Sequence, residues 1–262
     1  MFNLKGKVSI VTGATQWLGR DMAEALAEYG SDIIVTSRNI EKAKKAATEI
    51  AEKYQVQALG LALDVTDVDS VCAFAKEAYE FQEHIDVLIN NSGGGSGASE
   101  GNLFRRDFSA IKSMIDTNLT GLLYVCKAVS PYMAEQKSGS IINMGSIAGI
   151  VGRSRDMYHR SNKMEQPVDY AAAKGGVIAV TRDLAGFLCP YGVRVNSISP
   201  GGFDKGDLPE EFVRLYSERT MAGKMGTMGA DIKGAALFLA SDASAYVTGH
   251  NLVVDGGFSV WK

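Results

Sequence analysis

The chain has 262 residues, 46% of them hydrophobic, and a formal charge of −3. That apolar content suffices for one sizeable core, and the interspersed charges form no basic patch of the kind that neutralises nucleic-acid phosphates. No apolar run approaches the ~18 residues of a membrane span, and the opening Met1–Lys7 lacks the apolar core and cleavage site of a signal peptide. Cys72, Cys126 and Cys189 are odd in number and lack metal-ligand spacing. They read as reduced thiols, which excludes a structural zinc and predicts a cytoplasmic protein without nucleic-acid or membrane partners.

Along the chain, apolar runs bounded by Gly and turn residues alternate with helical patterns. Strands are predicted over Lys7–Thr12, Asp32–Thr36, Ala58–Leu63, Val87–Asn90, Gly139–Met144, Val193–Ser199 and Asn251–Val254. Their near-continuous Val/Ile/Leu character suits strands covered on both faces. Helices are predicted over Met22–Tyr29, Ile40–Tyr54 and Asp67–Tyr79, the last behind an Asp-Val-Thr-Asp cap signal. Right-handed crossovers then give one α/β domain, a doubly wound parallel sheet of about seven strands flanked by helices.

The first strand runs into Thr12-Gly13-Ala14-Thr15-Gln16-Trp17-Leu18-Gly19-Arg20. A Gly-rich turn between strand and helix lets backbone N–H groups and the helix dipole hold a pyrophosphate, which makes Gly13, Thr15, Gln16, Trp17, Leu18 and Gly19 candidate dinucleotide-binding residues. The pattern resembles the TGxxxGxG element of the short-chain dehydrogenase/reductase family. Thr12, Gly13 and Gly19 match it, and Trp17 stands where the family has its middle glycine. Either Trp17 weakens or reshapes cofactor binding, or its indole turns outward over the cofactor or a neighbouring loop. The second strand leads into Ser37-Arg38-Asn39. Folds that select NAD place a carboxylate there; a hydroxyl beside a guanidinium suits a 2′-phosphate, so NADP(H) is favoured over NAD(H).

Tyr170-Ala171-Ala172-Ala173-Lys174 opens a helix predicted to reach Leu188. The i and i+4 positions share a face, so a phenol and an ammonium project together and the charge favours the phenolate. The resemblance extends through Asp64-Val65, matching the family's adenine-binding pair, and Asn90-Asn91-Ser92-Gly93, matching its NNAG element with Ser for Ala. It continues through Asn118, Ser146 and Pro200-Gly201, with Phe203 following where the family usually carries a threonine nearby. It implies a Rossmann-type fold and a hydride transfer between a nicotinamide and a small carbonyl or hydroxyl substrate. It also implies roles: Tyr170 as proton donor or acceptor, Lys174 on the ribose hydroxyls, Ser146 on the substrate oxygen, Asn118 holding a relay water. Asp64, Val65, Asn90, Ser92, Gly93, Pro200, Gly201 and Phe203 become cofactor contacts. Within the family the chain is similar to gluconate 5-dehydrogenase-like enzymes.

Tyr158 lies 12 residues after Ser146, about the family's usual interval, and Tyr170 lies 24 after it. Only Tyr170 has a lysine four residues on, so 152–166 is taken as an insertion. Its Arg153, Arg155, His159, Arg160 and Lys163 make a basic rim suited to an anionic sugar acid, or else a solvated loop or subunit contact. Arg155 and Arg160 are the residues expected to set the KM for such a substrate. Residues 202–225 sit where the family has a substrate lid, and the apolar Phe258–Trp261 suits either an interface of the homotetramer that the resemblance implies or a strand end in the core. The competing readings are a non-catalytic dinucleotide sensor or subunit, and an isomerase or lyase using the cofactor transiently. A Ser-His-Asp hydrolase fails because Ser146 lacks the G-x-S-x-G elbow.

Overall fold

The computed structural model describes residues 1–94 and 100–261. The elements run β1 (Val8–Val11), α1 (Trp17–Glu28), β2 (Asp32–Ser37), α2 (Ile40–Tyr54), β3 (Ala58–Ala62), α3 (Val68–Glu80) and β4 (Val87–Asn90). They continue with α4 (Phe108–Ile115), α5 (Gly121–Glu135), β5 (Gly139–Met144), α6 (Asp156–Arg160), α7 (Val168–Leu188) and β6 (Val193–Pro200). The last are β7 (Phe203–Asp204), α8 (Glu210–Ser217), β8 (Gly226–Thr227), α9 (Lys233–Ala240) and β9 (Asn251–Val254).

Seven strands form one sheet in the order β3-β2-β1-β4-β5-β6-β9, every neighbouring pair parallel. The predicted single-domain doubly wound architecture is therefore present. Two apolar layers sandwich the sheet. Phe74, Val125, Met133 and Leu188 pack on one face, and Met22, Leu26, Ile50 and Leu237 on the other. Fully buried Ile and Val side chains contribute about 1.5–3 kcal/mol each, which is why these strands read as unbroken apolar runs. The chain passes from β3 back across β1 to β4, and this reversal opens a crevice beyond the carboxyl ends of β1 and β4. A third, smaller cluster of Ile147, Met157, Tyr158, Phe212, Leu215, Tyr216 and Met225 sits outside the sheet. It joins α6 to α8 and walls one end of that crevice. No described helix is long and apolar enough to cross a membrane.

Two boundaries differ from expectation. Helix α1 begins at Trp17, five residues before the predicted start, because the glycine loop closes into its first turn directly. Within 152–166 a short helix, α6, folds where the sequence suggested only a loop.

Candidate active site

The glycine loop is built by close backbone approach. Gly13 has φ +65°, and a Cβ on Gly19 would fall 2.4 Å from Asn91 Nδ2 and 2.7 Å from the Gly13 carbonyl. Helix α1 follows with no side-chain cap from Gln16 and no acidic residue in its first turn. Its orphan N–H groups and positive dipole end remain for an anion, which fits a pyrophosphate. Thr12 Oγ1 accepts from the backbone N–H of both Asn91 and Ser92, at 2.9 Å each, and Asn91 Nδ2 donates to the Thr12 carbonyl at 2.9 Å. The end of β4 is thereby braced to the loop. A second cradle lies at Gly93, φ +139°, whose added Cβ would meet Asn118 Oδ1 at 2.5 Å.

These pieces line a cleft of about 780 Å³ that also includes Thr15, Gln16, Ser37, Arg38, Asp64 and Val65. Nine of the expected cofactor residues, Gly13, Thr15, Gln16, Ser37, Arg38, Asp64, Val65, Ser92 and Gly93, therefore converge here. Arg38 is exposed and makes no ion pair with any described residue, leaving its guanidinium available. Its charge and the Thr66 hydrogen bonds, which are the larger cause, hold the Asp64 carboxyl below its usual range. One expectation is corrected. Asn90 does not face the cleft: its side chain is buried and donates to Asn143 Oδ1 at 2.9 Å and Cys126 Sγ at 3.2 Å. Its neighbour Asn91 does the bracing instead, since successive residues at a strand end point to opposite faces. The Asn39 side chain caps α2, its Oδ1 accepting from Lys42 N at 3.0 Å. Of the Gly93–Gly101 stretch, residues 95–99 lie outside the described set.

A second cleft of about 530 Å³ lies beside the first, lined by Ser146, Tyr170, Tyr158, Pro200, Gly201 and Phe203, with Trp17 and Leu18 at its edge. Ser146 leaves β5 in an extended conformation and its hydroxyl accepts from Ala148 N at 3.1 Å. Lys174 is buried on α7 and donates to the Met144 carbonyl at 2.7 Å, its Nζ lying 5.8 Å from the centre of the Tyr170 ring. Burial pushes the Tyr170 phenol up, while Ser146 and then Arg153 favour its charged form. The Lys174 ammonium itself lies by the ring and donates to a main-chain oxygen, with no hydrogen bond to the phenol among the described residues. Burial lowers the Lys174 ammonium to about 8. Asn118 lies in a π-helical turn, Asp116–Thr120, that packs against α7. It donates to the Met114 carbonyl at 3.1 Å and accepts from Gly94 N at 3.0 Å. Such π turns recur at functional sites. No histidine lines the Ser146 cleft, so the hydrolase reading has no base.

Trp17 adopts φ +54°, the left-handed region that costs a non-glycine residue about 1–2 kcal/mol. Its indole lines the Ser146 cleft, where Lys205 Nζ stacks 4.5 Å from the ring centre. Of the two alternatives posed by the sequence, the structure has the indole packed on a neighbouring segment. We expect Trp17→Gly to leave the melting temperature nearly unchanged. The relieved strain offsets glycine's entropy cost of about 0.5–1 kcal/mol and the lost cation–π contact of about 0.5–1 kcal/mol. Cleavage of residues 202–209 in limited proteolysis should accelerate; an unaltered rate would show that Trp17 does not tether that segment.

The residues 152–166 also sort differently from expectation. Arg155 donates to the Gln166 carbonyl at 2.7 Å and pairs with Glu165 at 3.2 Å. Arg160 pairs with Asp156 and Glu211. Both are occupied structurally, so neither lines the cleft. Arg153, Lys163 and Tyr158 do, and only tertiary placement separates them from their neighbours.

A doubly wound sheet whose glycine loop, uncapped helix and two adjoining clefts meet at the switch point defines a dinucleotide-binding α/β enzyme. A family model described as enoyl-(acyl carrier protein) reductase matches residues 13–259. The chain is 35% identical over 259 residues to the 3-oxoacyl-[acyl-carrier-protein] reductase FabG of Aquifex aeolicus, covering 97% of this chain and 98% of that protein. It is 32% identical to the NADP-dependent mannitol dehydrogenase of Alternaria alternata, covering 99% and 95%. The crystal structure of a gluconate 5-dehydrogenase from Burkholderia cenocepacia J2315, in complex with NADP and tartrate, superposes with a TM-score of 0.88 at 31% identity, covering 98% of this chain and 97% of that one. The chain belongs to the short-chain dehydrogenase/reductase family and is an oxidoreductase acting on CH–OH groups. The non-catalytic alternative is not favoured.

Proposed function

We propose that this oxidoreductase uses NADP(H) to interconvert a small carbonyl compound and its secondary alcohol, the substrate being a sugar, polyol or sugar acid. The observation that carries the reading is the shared cleft of Ser146 and Tyr170, set beside the glycine-loop cleft that ends at Ser37 and Arg38. The bound nucleotide supplies the hydride. Tyr170 holds the proton that reaches the carbonyl oxygen in reduction, and takes it back in oxidation. Ser146 donates to that same oxygen, orienting it and stabilising the charge that develops there. Lys174 holds the ribose hydroxyls, and Asn118 holds a water that connects Lys174 to solvent. Residues 202–225 act as a lid that excludes water from the cleft. NADP(H) preference is supported by the missing acid at Ser37 and the unpaired Arg38. The three cysteines are free, which accords with a cytoplasmic setting. A homotetramer is proposed as well. Of the C-terminal segment, Phe258 stacks on Tyr216 at 4.5 Å, so Val260 and Trp261 are the residues left exposed for contact.

The test is calorimetric titration of NADPH and NADH, followed by rates on a panel of ketones, ketoses and polyols. We expect NADPH to bind at least tenfold more tightly. Arg38→Ala should remove about tenfold of NADPH affinity, near the 1.5–3 kcal/mol of a charge-assisted contact, and leave NADH unchanged. Equal losses for both nucleotides would refute the 2′-phosphate assignment.

A further inference from the structure

Within the substrate cleft, one buried guanidinium N–H group has no counterpart among the described residues. Arg153 lies between β5 and α6, is only partly exposed, and its Nη1 is fully buried without a hydrogen-bond partner among the described residues. It also makes no ion pair there, whereas Arg155 and Arg160, which follow it in the chain, are each held by carboxylates. A buried guanidinium N–H left unsatisfied costs about 1–3 kcal/mol or more, so its persistence facing a cleft calls for an anion that arrives with the ligand. Arg153 lines the cleft together with Ser146, Tyr170 and Tyr216. Lys163 lines the same cleft, its Nζ stacked 5.3 Å from the Phe212 ring centre and without a carboxylate partner among the described residues. The remaining walls come from the apolar cluster of Met157, Phe212, Tyr216 and Met225.

We propose that Arg153, with Lys163 beside it, binds a carboxylate of the substrate, so that among the sugars, polyols and sugar acids proposed above the enzyme favours hydroxy and oxo acids over neutral alcohols and ketones. This rests on the reading that Ser146 and Tyr170 take the reacting oxygen, and it assigns the other end of the same molecule. A planar guanidinium fork matches a carboxylate in two parallel hydrogen bonds, and low-dielectric walls strengthen them. The apolar walls would receive the carbon chain between the two polar ends. A volume of about 530 Å³ accommodates a small organic acid.

The experiment measures NADPH-dependent reduction of pyruvate, acetoacetate and levulinate, each against its methyl ester, in the wild type, Arg153→Gln and Arg153→Lys. We expect the wild type to prefer at least one acid over its ester by about tenfold to hundredfold in kcat/KM, as a buried charge-assisted pair gives. In Arg153→Gln that ratio should fall to about one, and Arg153→Lys, which keeps the charge and loses the fork, should lie between. The ratio is the readout because loss of folded protein, or a shifted Tyr170, scales both members of a pair together. A wild-type ratio of one or below for every pair, or a ratio that survives Arg153→Gln, overturns the proposal. Dihydroxyacetone phosphate and dihydroxyacetone form a further arm: a larger preference there assigns the site to phosphate and overturns the carboxylate. If no carbonyl is reduced with either nucleotide, the hydride-transfer reading fails. Calorimetric binding of levulinate against methyl levulinate to wild type and Arg153→Gln then still decides Arg153: acid-selective binding lost in the variant supports it, and its absence refutes it.

Discussion

Tyr170→Phe should lower kcat/KM for carbonyl reduction by about 10²–10⁴-fold, the range a positioned general acid contributes, with NADPH affinity within about twofold of wild type. The substitution removes one oxygen and keeps the ring against which Lys174 lies, so the cleft and its lining are preserved. A fall in kcat with binding intact isolates proton transfer; a matching loss of NADPH affinity would show that the residue is structural. The pH profile adds a second readout. Burial raises the Tyr170 phenol above its ordinary value, so the group stays protonated through neutral pH and reduction should be flat there. Oxidation, which needs the phenolate, should instead climb with pH. Lys174 moves the other way: lowered to about 8, it is charged below that pH and neutral above it. The hold on the ribose hydroxyls therefore weakens in alkali, and the KM for NADPH should rise above about pH 8. A KM that is flat through that window would remove Lys174 from the cofactor site.

The parallel sheet was legible because strands covered on both faces leave a signal no loop imitates, as the fully buried Val87–Asn90 illustrates with identical predicted and observed bounds. The tyrosine–lysine pair was legible for a similar reason: helical spacing alone puts both on one face of α7. What escaped depends on contacts between distant segments. The first turn of α1 contains Trp17 and Gly19, poor helix formers, and becomes helical only because the loop behind it is closed by Asn91. Asn90 and Asn91 are one residue apart and chemically identical, and the strand's last step decides which meets the cleft. The basic residues of 152–166 looked interchangeable in sequence. Glu165, Asp156 and Glu211 then neutralise Arg155 and Arg160, and the fold leaves Arg153 over.

The remaining large effect concerns how Tyr170 is held in place. Arg106 and Asp169 form an ion pair at 2.8 Å with side-chain exposures of 1% and 6%. Arg106 also donates to the Glu100 carbonyl at 2.8 Å, while Arg106 Nε and Asp169 Oδ1 have no partner among the described residues. Asp169 immediately precedes Tyr170, so the pair anchors the first turn of α7 to the segment entering α4. Two charges taken out of water repay their desolvation only when both are present. Arg106→Ala should therefore cost about 3–5 kcal/mol of stability, since it strands a buried carboxylate, and Asp169→Asn should cost less because it retains a polar partner of the same shape. Replacing both at once, as Arg106→Met with Asp169→Leu, should recover most of the loss in urea unfolding, because no orphaned charge is left. That double variant separates stability from positioning. If the pair serves only to keep the chain folded, its kcat returns along with its stability. If it fixes the tyrosine, kcat stays depressed in a protein that unfolds at the wild-type midpoint, because a phenol displaced by a fraction of an ångström no longer meets the carbonyl oxygen in line.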